Sequence, residues 1–269
     1  LKKLKTICST GSPLSEDGFK FVYNKIKKKV HLASISGGTD IISCFVLGNI
    51  YDPVIVGQIQ NKGLGMDVDI FNEKGNSIKN KKGELVCKNA FPTVPIKFWN
   101  DKNNEKFKDT YFKKFKKVWH HGDYAEIKNS EGFIIHGRSD TTLNPGGVRL
   151  GTSEIYSEVE KFKEIKESLV VGQKWDNDIR IVLFVVLNKN YELDKSLFNK
   201  IRFQIKTNAS PRHVPKKIIQ ILDIPKTKNG KIVELAVKNI IENNEIKNKE
   251  ALANPESLDQ FKNLKELQY

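Results

Sequence analysis

The chain has 269 residues, 38% of them hydrophobic, and a formal net charge of +14. That length builds one large or two moderate domains with real cores, and the sequence has no run of 18 or more apolar residues, which excludes a membrane-spanning helix. The charge comes from lysine spread along the chain, with arginine only at Arg138, Arg149, Arg180, Arg202 and Arg212, so the arginine and interleaved aromatics of specific nucleic-acid readers are missing and nucleic acid is not an expected partner.

Residues 6–10 read as a short strand that enters the turn Gly11-Ser12-Pro13. A helix is expected from Ser15 to about Lys28, with Phe19, Tyr23, Ile26 and Val30 at helical spacing and Ser15 able to cap its start. Val30–Ser36 reads as a buried strand. Strand, helix, strand in this order suits a parallel α/β layer. From about Val54 to Phe133 short apolar runs alternate with Gly, Asn and Lys turns. The segments 66–71, 83–88, 118–127 and 132–137 predict a small, mostly antiparallel β unit. Residues 100–117 read as one helix or as an irregular excursion.

After Asp140 the pattern changes. A helix is expected near Ser153, with Ile155, Val159 and Phe162 on one face. Residues 167–173 and 179–187 read as buried strands, Lys195–Thr207 as a helix, 216–222 as a strand and Val233–Glu242 as a helix. The result is a compact α+β domain, with a polar tail in which Leu264 and Leu267 can dock. Cys8, Cys44 and Cys87 are scattered and odd in number, so neither a disulfide framework nor a CxxC metal pair is expected. The N-terminal LKKLKTICSTGSPLS has too short and broken an apolar part for a secretory signal. A reducing cytoplasm is the simplest location.

Two loops carry the most chemistry. Residues 137–156, GRSDTTLNPGGVRLGTSEIY, gather Arg138, Asp140, Gly146, Gly147, Arg149 and Gly151 ahead of a helix. Glycines let a ligand approach the main chain, and the guanidinium fork matches phosphate or carboxylate oxygens. An ordinary interdomain turn is the plainer reading. Residues 224–232, IPKTKNGKI, form a second polar loop. Its Asn229-Gly230 pair signals a turn, flanked by Lys226, Lys228 and Lys231.

These loops, with SISGGTDI (34–41) and HGDYAEI (121–127), resemble the adenylate-forming acyl-CoA synthetases. Adding IKFWND (96–101), TNASPRHVP (207–215), IPKTKNGKIVELAVKNII (224–241) and KNKEALANPESL (247–258) narrows the resemblance to the acetoacetyl-CoA synthetases within that superfamily. The resemblance runs over nearly the whole chain and implies that the chain is only a C-terminal part of such an enzyme. The implied architecture is α/β plus α+β. Residues 1–139 would be the end of the large adenylate-binding domain, a partial α/β layer and a small β unit, and 140–269 a small mobile lid domain with a tail.

The activity the resemblance implies is an ATP-dependent acid–thiol ligase joining acetoacetate to coenzyme A through an acyl-adenylate. Gly11, Ser12 and Pro13 would let the adenine ring lie against backbone; a plain strand-to-helix turn is the alternative. Gly37 and Gly38 would approach the nucleotide, Thr39 a phosphate, and Asp40 would hold Mg²⁺, which asks for hard oxygen ligands; Asp40 could instead cap a turn. Asp123 would accept both ribose hydroxyls, as a carboxylate can, and Arg138 would contact ribose and phosphate. Asp140 corresponds to the hinge. Arg149 is expected near the phosphates in one lid orientation. In the other, Gly147 would line the pantetheine passage and Arg212 would meet a coenzyme A phosphate. Lys231 would bridge carboxylate and α-phosphate, with Lys226 and Lys228 as solvated neighbours. His31, His120, His121, His136 and His213 are read as structural, since adjacent strand residues such as His120 and His121 face opposite ways.

Two parts of the family pattern are missing. The Ser/Thr/Gly-rich loop for the β- and γ-phosphates and the first wall of the acid pocket would lie upstream of residue 1, leaving an α/β layer with unpaired strand edges. A separately encoded N-terminal portion is therefore an expected partner. The alternative is a catalytically inactive remnant, or half of a split enzyme, that only binds AMP or coenzyme A.

Overall fold

The structure is a computed structural model that describes residues 1–246 and 249–269. Lys247 and Asn248, which open the KNKEALANPESL motif, lie outside the described residues. The chain divides into two compact units, Leu1–Ser139 and Asp140–Tyr269.

The first unit begins with β1 (Thr6–Ser9), which pairs parallel with β2 (His31–Ser34) through the crossover helix α1 (Glu16–Phe21). Ser15 caps α1, its hydroxyl accepting the Gly18 amide at 3.3 Å. The helix ends earlier than the periodicity predicts. At Val22–Ile26 it widens into a π turn in which the Lys27 amide reaches the Val22 carbonyl at 2.9 Å. That widening keeps Phe19 and Val22 in a small core with Val30 and Leu32, so apolar spacing continued past the regular helix.

The expected single strand 30–36 is also divided. Beyond β2 the chain shifts to a second sheet, where β3 (Ser36–Gly38), β4 (Ser43–Leu47) and β5 (Asn61–Lys62) run antiparallel. Gly37 is required there, because a Cβ would come 2.1 Å from the Ser43 carbonyl oxygen. The expected antiparallel unit is a four-stranded meander, β6 (Val68–Phe71), β7 (Gly83–Cys87), β8 (Trp119–Ile127) and β9 (Phe133–Arg138), in that spatial order. Residues 100–117 contain a short 3₁₀ turn and one helix, α2 (Glu105–Tyr111), whose Phe107 and Tyr111 pack on Trp119. Phe45, Val68, Ile70, Leu85, Trp119 and Phe133 form the core of this unit.

The second unit follows the sequence reading closely. α3 (Thr152–Val159) and α4 (Lys195–Asn208) cover a sheet in which β10 (Ile165–Trp175) and β11 (Asp178–Leu187) form a long hairpin and β12 (Lys217–Gln220) pairs parallel with β11. The hairpin turns at Asp176 and Asn177, both at positive φ, the chemistry a two-residue hairpin turn needs. α4 starts at Asp194, whose carboxylate accepts the Leu197 amide. α5 (Glu234–Ile241) packs Ala236, Val237 and Ile240 into a core with Leu169, Phe184, Leu258 and Phe261. The tail docks there too: Leu267 is buried and Leu264 packs against the same cluster.

Candidate active site

In the first unit the motif segments meet at one place. β8 and β9 pair Asp123 opposite Arg138, and cross-strand neighbours interact directly. Arg138 Nη1 donates to Asp123 Oδ1 at 3.1 Å and to the His121 carbonyl at 3.1 Å. Asp123 is 7% exposed, whereas half the Arg138 side chain is open to solvent. The Ser36 hydroxyl donates to the other Asp123 oxygen at 3.2 Å. His121 Nε2 lies 3.2 Å from the Gly37 carbonyl, tying the SGGTD segment to the HGD strand. A Cβ on Gly38 would come 2.8 Å from the His121 ring and one on Gly122 2.8 Å from Arg138, so both glycines permit this close contact. Ser9 pairs with Ser34 and its carbonyl accepts the Ile35 amide, which brings the exposed turn Gly11-Ser12-Pro13 off the sheet near the same end. Gly11 has φ +98 and nothing within 4 Å of a Cβ, so its backbone is accessible.

Thr39 and Asp40 occupy the exposed turn between β3 and β4, where the Ile42 amide returns to the Thr39 carbonyl at 3.1 Å. One Asp40 oxygen accepts the Tyr111 hydroxyl. Tyr111 is itself stacked on Trp119, ring centroids 3.6 Å apart and 15° from parallel. Burial and the Asp40 carboxylate push the Tyr111 phenol well above its ordinary range, so it stays a donor. No group of three or more His, Cys, Asp or Glu that could hold a metal occurs among the described residues. A single carboxylate with one oxygen already engaged fits Mg²⁺ only as one ligand among phosphate oxygens and waters, the usual manner for this ion.

The five histidines are all engaged in packing or pairing. His121 is held neutral by burial; His120 bonds Glu84 at 2.9 Å, His136 faces Glu126 at 3.3 Å, His213 pairs with Glu154 at 3.3 Å and His31 with Gln60 at 2.8 Å.

In the second unit the Gly-rich loop is closed at its base by buried Leu143 and Leu150, which exchange backbone hydrogen bonds at 3.0 and 2.8 Å. Its tip is fixed by Asp178, which accepts the Gly146 amide at 2.8 Å; backbone donors from Ile179 and Gly146 hold that carboxyl below its usual range. Gly146 and Gly147 have φ +58 and +76, and a Cβ on either would meet nothing within 4 Å. Arg149 lies on the same loop, with Nη2 3.4 Å from the Thr142 hydroxyl. Arg212 is exposed on the short turn Pro211–His213.

The lysine loop is a tight hairpin. The Thr227 amide donates to the Lys231 carbonyl at 2.9 Å, the Lys231 amide to the Thr227 hydroxyl at 3.1 Å, and Gly230 takes the left-handed position with φ +78. Lys228 and Lys231 are exposed. Lys226 is not a solvated neighbour: its ammonium is 2.5 Å from Glu167 on β10, and both side chains are largely covered. The apolar run before the loop pulls that stem residue onto the sheet, where a bare ammonium would be costly without a partner.

No protein-family model matches the chain. Along 99% of its length it is 56% identical to an acetoacetyl-coenzyme A synthetase of Rhizobium meliloti (strain 1021), and along all of it 47% identical to an acetoacetyl-CoA synthetase of Gallus gallus. An acetoacetyl-CoA synthetase structure from Streptomyces lividans matches 97% of the chain with a TM-score of 0.89 and 36% identity. The chain is homologous to the C-terminal portion of acetoacetyl-CoA synthetases. It spans 41% and 40% of the lengths of the two curated relatives and 40% of the solved chain.

Beside the candidate site residues stand partners that the sequence reading did not single out. Ser36 and Tyr111 engage Asp123 and Asp40. Glu234, three residues past Lys231, is hydrogen-bonded to Thr141, Thr152 and Tyr156 and so joins the lysine loop to the segment after Asp140. Ser36 and Glu234 had a signal, their places inside the SGGTD motif and the 224–241 motif. Tyr111 comes from an element distant in sequence from Asp40.

Proposed function

We propose that this chain supplies the nucleotide-monophosphate half, the hinge and the lysine domain of an ATP-dependent ligase that makes acetoacetyl-CoA from acetoacetate and coenzyme A. An N-terminal portion would supply the grip on the β- and γ-phosphates and the remaining wall of the acid pocket. The reading is carried by the Asp123–Arg138 pair against the Ser36-Gly37-Gly38 backbone: a buried carboxylate with a half-open guanidinium beside it, set among glycines whose missing Cβ lets the SGGTD and HGD segments close on one another. The 56% identity to the Rhizobium meliloti synthetase supports the choice of acid and thiol.

In this reading Asp123 accepts the ribose hydroxyls, Arg138 faces ribose and α-phosphate, and the Gly11-Ser12-Pro13 backbone takes the adenine edge. Asp40, oriented by Tyr111, would supply one hard oxygen ligand to Mg²⁺, which when bound would offset phosphate charge. Thr39 donates to a phosphate oxygen. Lys231 brings a point charge to the carboxylate and α-phosphate during adenylation, with Arg149 beside the phosphates. Rotation at Asp140 then exchanges Lys231 for the Gly147 passage, through which pantetheine reaches the acyl carbon, while Arg212 meets a coenzyme A phosphate. A reducing cytoplasm suits the free Cys8, Cys44 and Cys87 thiols.

The test uses this chain fused behind the preceding part of the Rhizobium meliloti relative. Lys231→Ala should reduce adenylate formation by about a hundredfold or more, the scale of one lost electrostatic donor, while thioester formation from preformed acyl-adenylate continues. Equal loss in both half-reactions would remove the assigned role. A fusion that binds AMP yet never turns over would favour a binding-only half.

A further inference from the structure

The tail segment after the undescribed residues belongs to no step of the proposed reaction, yet its polar contacts converge on one place. Residues 251–254 run antiparallel to the stem of the lysine hairpin, with Leu252 opposite Thr227. The Lys228 amide donates to the Ala251 carbonyl at 3.2 Å and the Ala253 amide to the Lys226 carbonyl at 2.8 Å. Asn254 uses both ends of its amide: Oδ1 accepts the Lys226 amide at 2.9 Å, and Nδ2 donates to the Ile224 carbonyl at 2.9 Å and to Asp223 at 2.5 Å. Gln260 continues the line, accepting the Leu222 amide at 2.8 Å and donating to the Asp223 carbonyl at 2.7 Å.

This strap is anchored. Leu252, Leu258 and Phe261 are buried in the core under α5, and Phe261 meets Phe184 edge to face at 4.9 Å. The hairpin closes on itself through the Thr227–Lys231 pair, the Gly230 amide to the Thr227 carbonyl, the Val233 amide to the Pro225 carbonyl and the Lys226–Ile232 bridge, and the Lys226 ammonium ties its stem to Glu167 on β10; its tip is exposed, and the strap supplies the backbone partners along its outer edge. An isolated two-stranded hairpin is marginal in water, and a third strand is what fixes it.

We infer that residues 251–254 are the third strand that fixes the Lys231 hairpin, and that Asn254 is a positioning residue for Lys231. This rests on the adenylation role proposed for Lys231. A misplacement of about 1 Å at a reacting charge lowers rate by orders of magnitude, so the strap contributes through orientation and not through contact with substrate.

Two variants test it. Asn254→Ala removes three bonds to the stem; Ala253→Pro removes one donor at an exposed position and keeps the question answerable should the first fail to fold. In the free chain, amide exchange at Thr227, Lys228 and Lys231 should accelerate about tenfold, with exchange in β10 and β11 unchanged. In the fusion, kcat for adenylation should fall about tenfold at nearly constant KM for ATP, and thioester formation should be spared. Unchanged exchange at the hairpin overturns the strap. Faster exchange with unaltered adenylation overturns the positioning role while leaving Lys231 in place. Intact adenylation in Lys231→Ala overturns both readings, and is told apart because the exchange result does not depend on it.

Discussion

At the scale of single residues, function depends on side chains held by partners they could not choose locally. Asp123 is buried on β8, and its charge is tolerable because Arg138 and Ser36 occupy its oxygens. Asp123→Asn should therefore weaken AMP binding about tenfold in calorimetry, since a charge-assisted acceptor is lost while volume is kept; equal affinities would place the ribose elsewhere. Gly147 raises a different issue. A Cβ meets nothing there, so the protein itself imposes only the positive φ of +76, a strain of about 1 kcal/mol for an L residue. Gly147→Ala and Gly147→Leu share that strain and differ only in bulk. If pantetheine passes this point, thiol capture should fall much further in the leucine variant, with adenylation alike in both. Identical thiol capture in the two would take Gly147 out of the passage.

At the scale of elements, the joints between secondary structures hold information that periodicity does not. The spacing of Phe19, Tyr23 and Ile26 is helical, yet the helix widens at Val22 because core packing and not propensity decides where the turns tighten. The run 30–36 is uniformly strand-like, yet it serves two sheets because Gly37 alone can approach β4 so closely. Glu234 at the start of α5 is legible as an acidic helix start, but its function is to join Thr141, Thr152 and Tyr156. Burial first, and then the Asp140 charge, raise its carboxyl above the ordinary range. A carboxyl raised in the folded state stabilises fully below its unfolded value, about 4.3, and that contribution is lost as pH rises through the folded value. Glu234→Gln should flatten this decline, so melting temperatures of variant and wild type should converge at low pH and separate in the variant's favour as pH rises. Parallel curves across that range would mean that the fold does not raise this carboxyl.

At the scale of the whole molecule, each unit has its own interior. Residues 1–139 bury Phe45, Trp119 and Phe133; residues 140–269 bury Ile155, Leu183, Phe184 and Phe261. The second unit also carries its hairpin, crossover strand and docked tail within its own sequence span. Expressed alone, Asp140–Tyr269 should unfold in one cooperative transition with the amide protection of β10 and β11 that it has in the full chain. A gradual, non-cooperative melt would mean that its core is incomplete without residues 1–139.

The sequence by itself determined most strands and helices of the second unit, the parallel pair and antiparallel meander of the first, and the positions of the motif loops. Alternation, helical spacing, the Ser15 cap and the Asn229-Gly230 turn are local signals written within a few residues of the structure they specify. Tertiary structure alone decided that Tyr111 orients Asp40, that Lys226 leaves solvent for Glu167, and that Asn254 steadies the hairpin of Lys231. Those contacts join residues 71, 59 and 28 positions apart, and nothing in local propensity encodes which distant partner will satisfy a polar group once packing has removed its water.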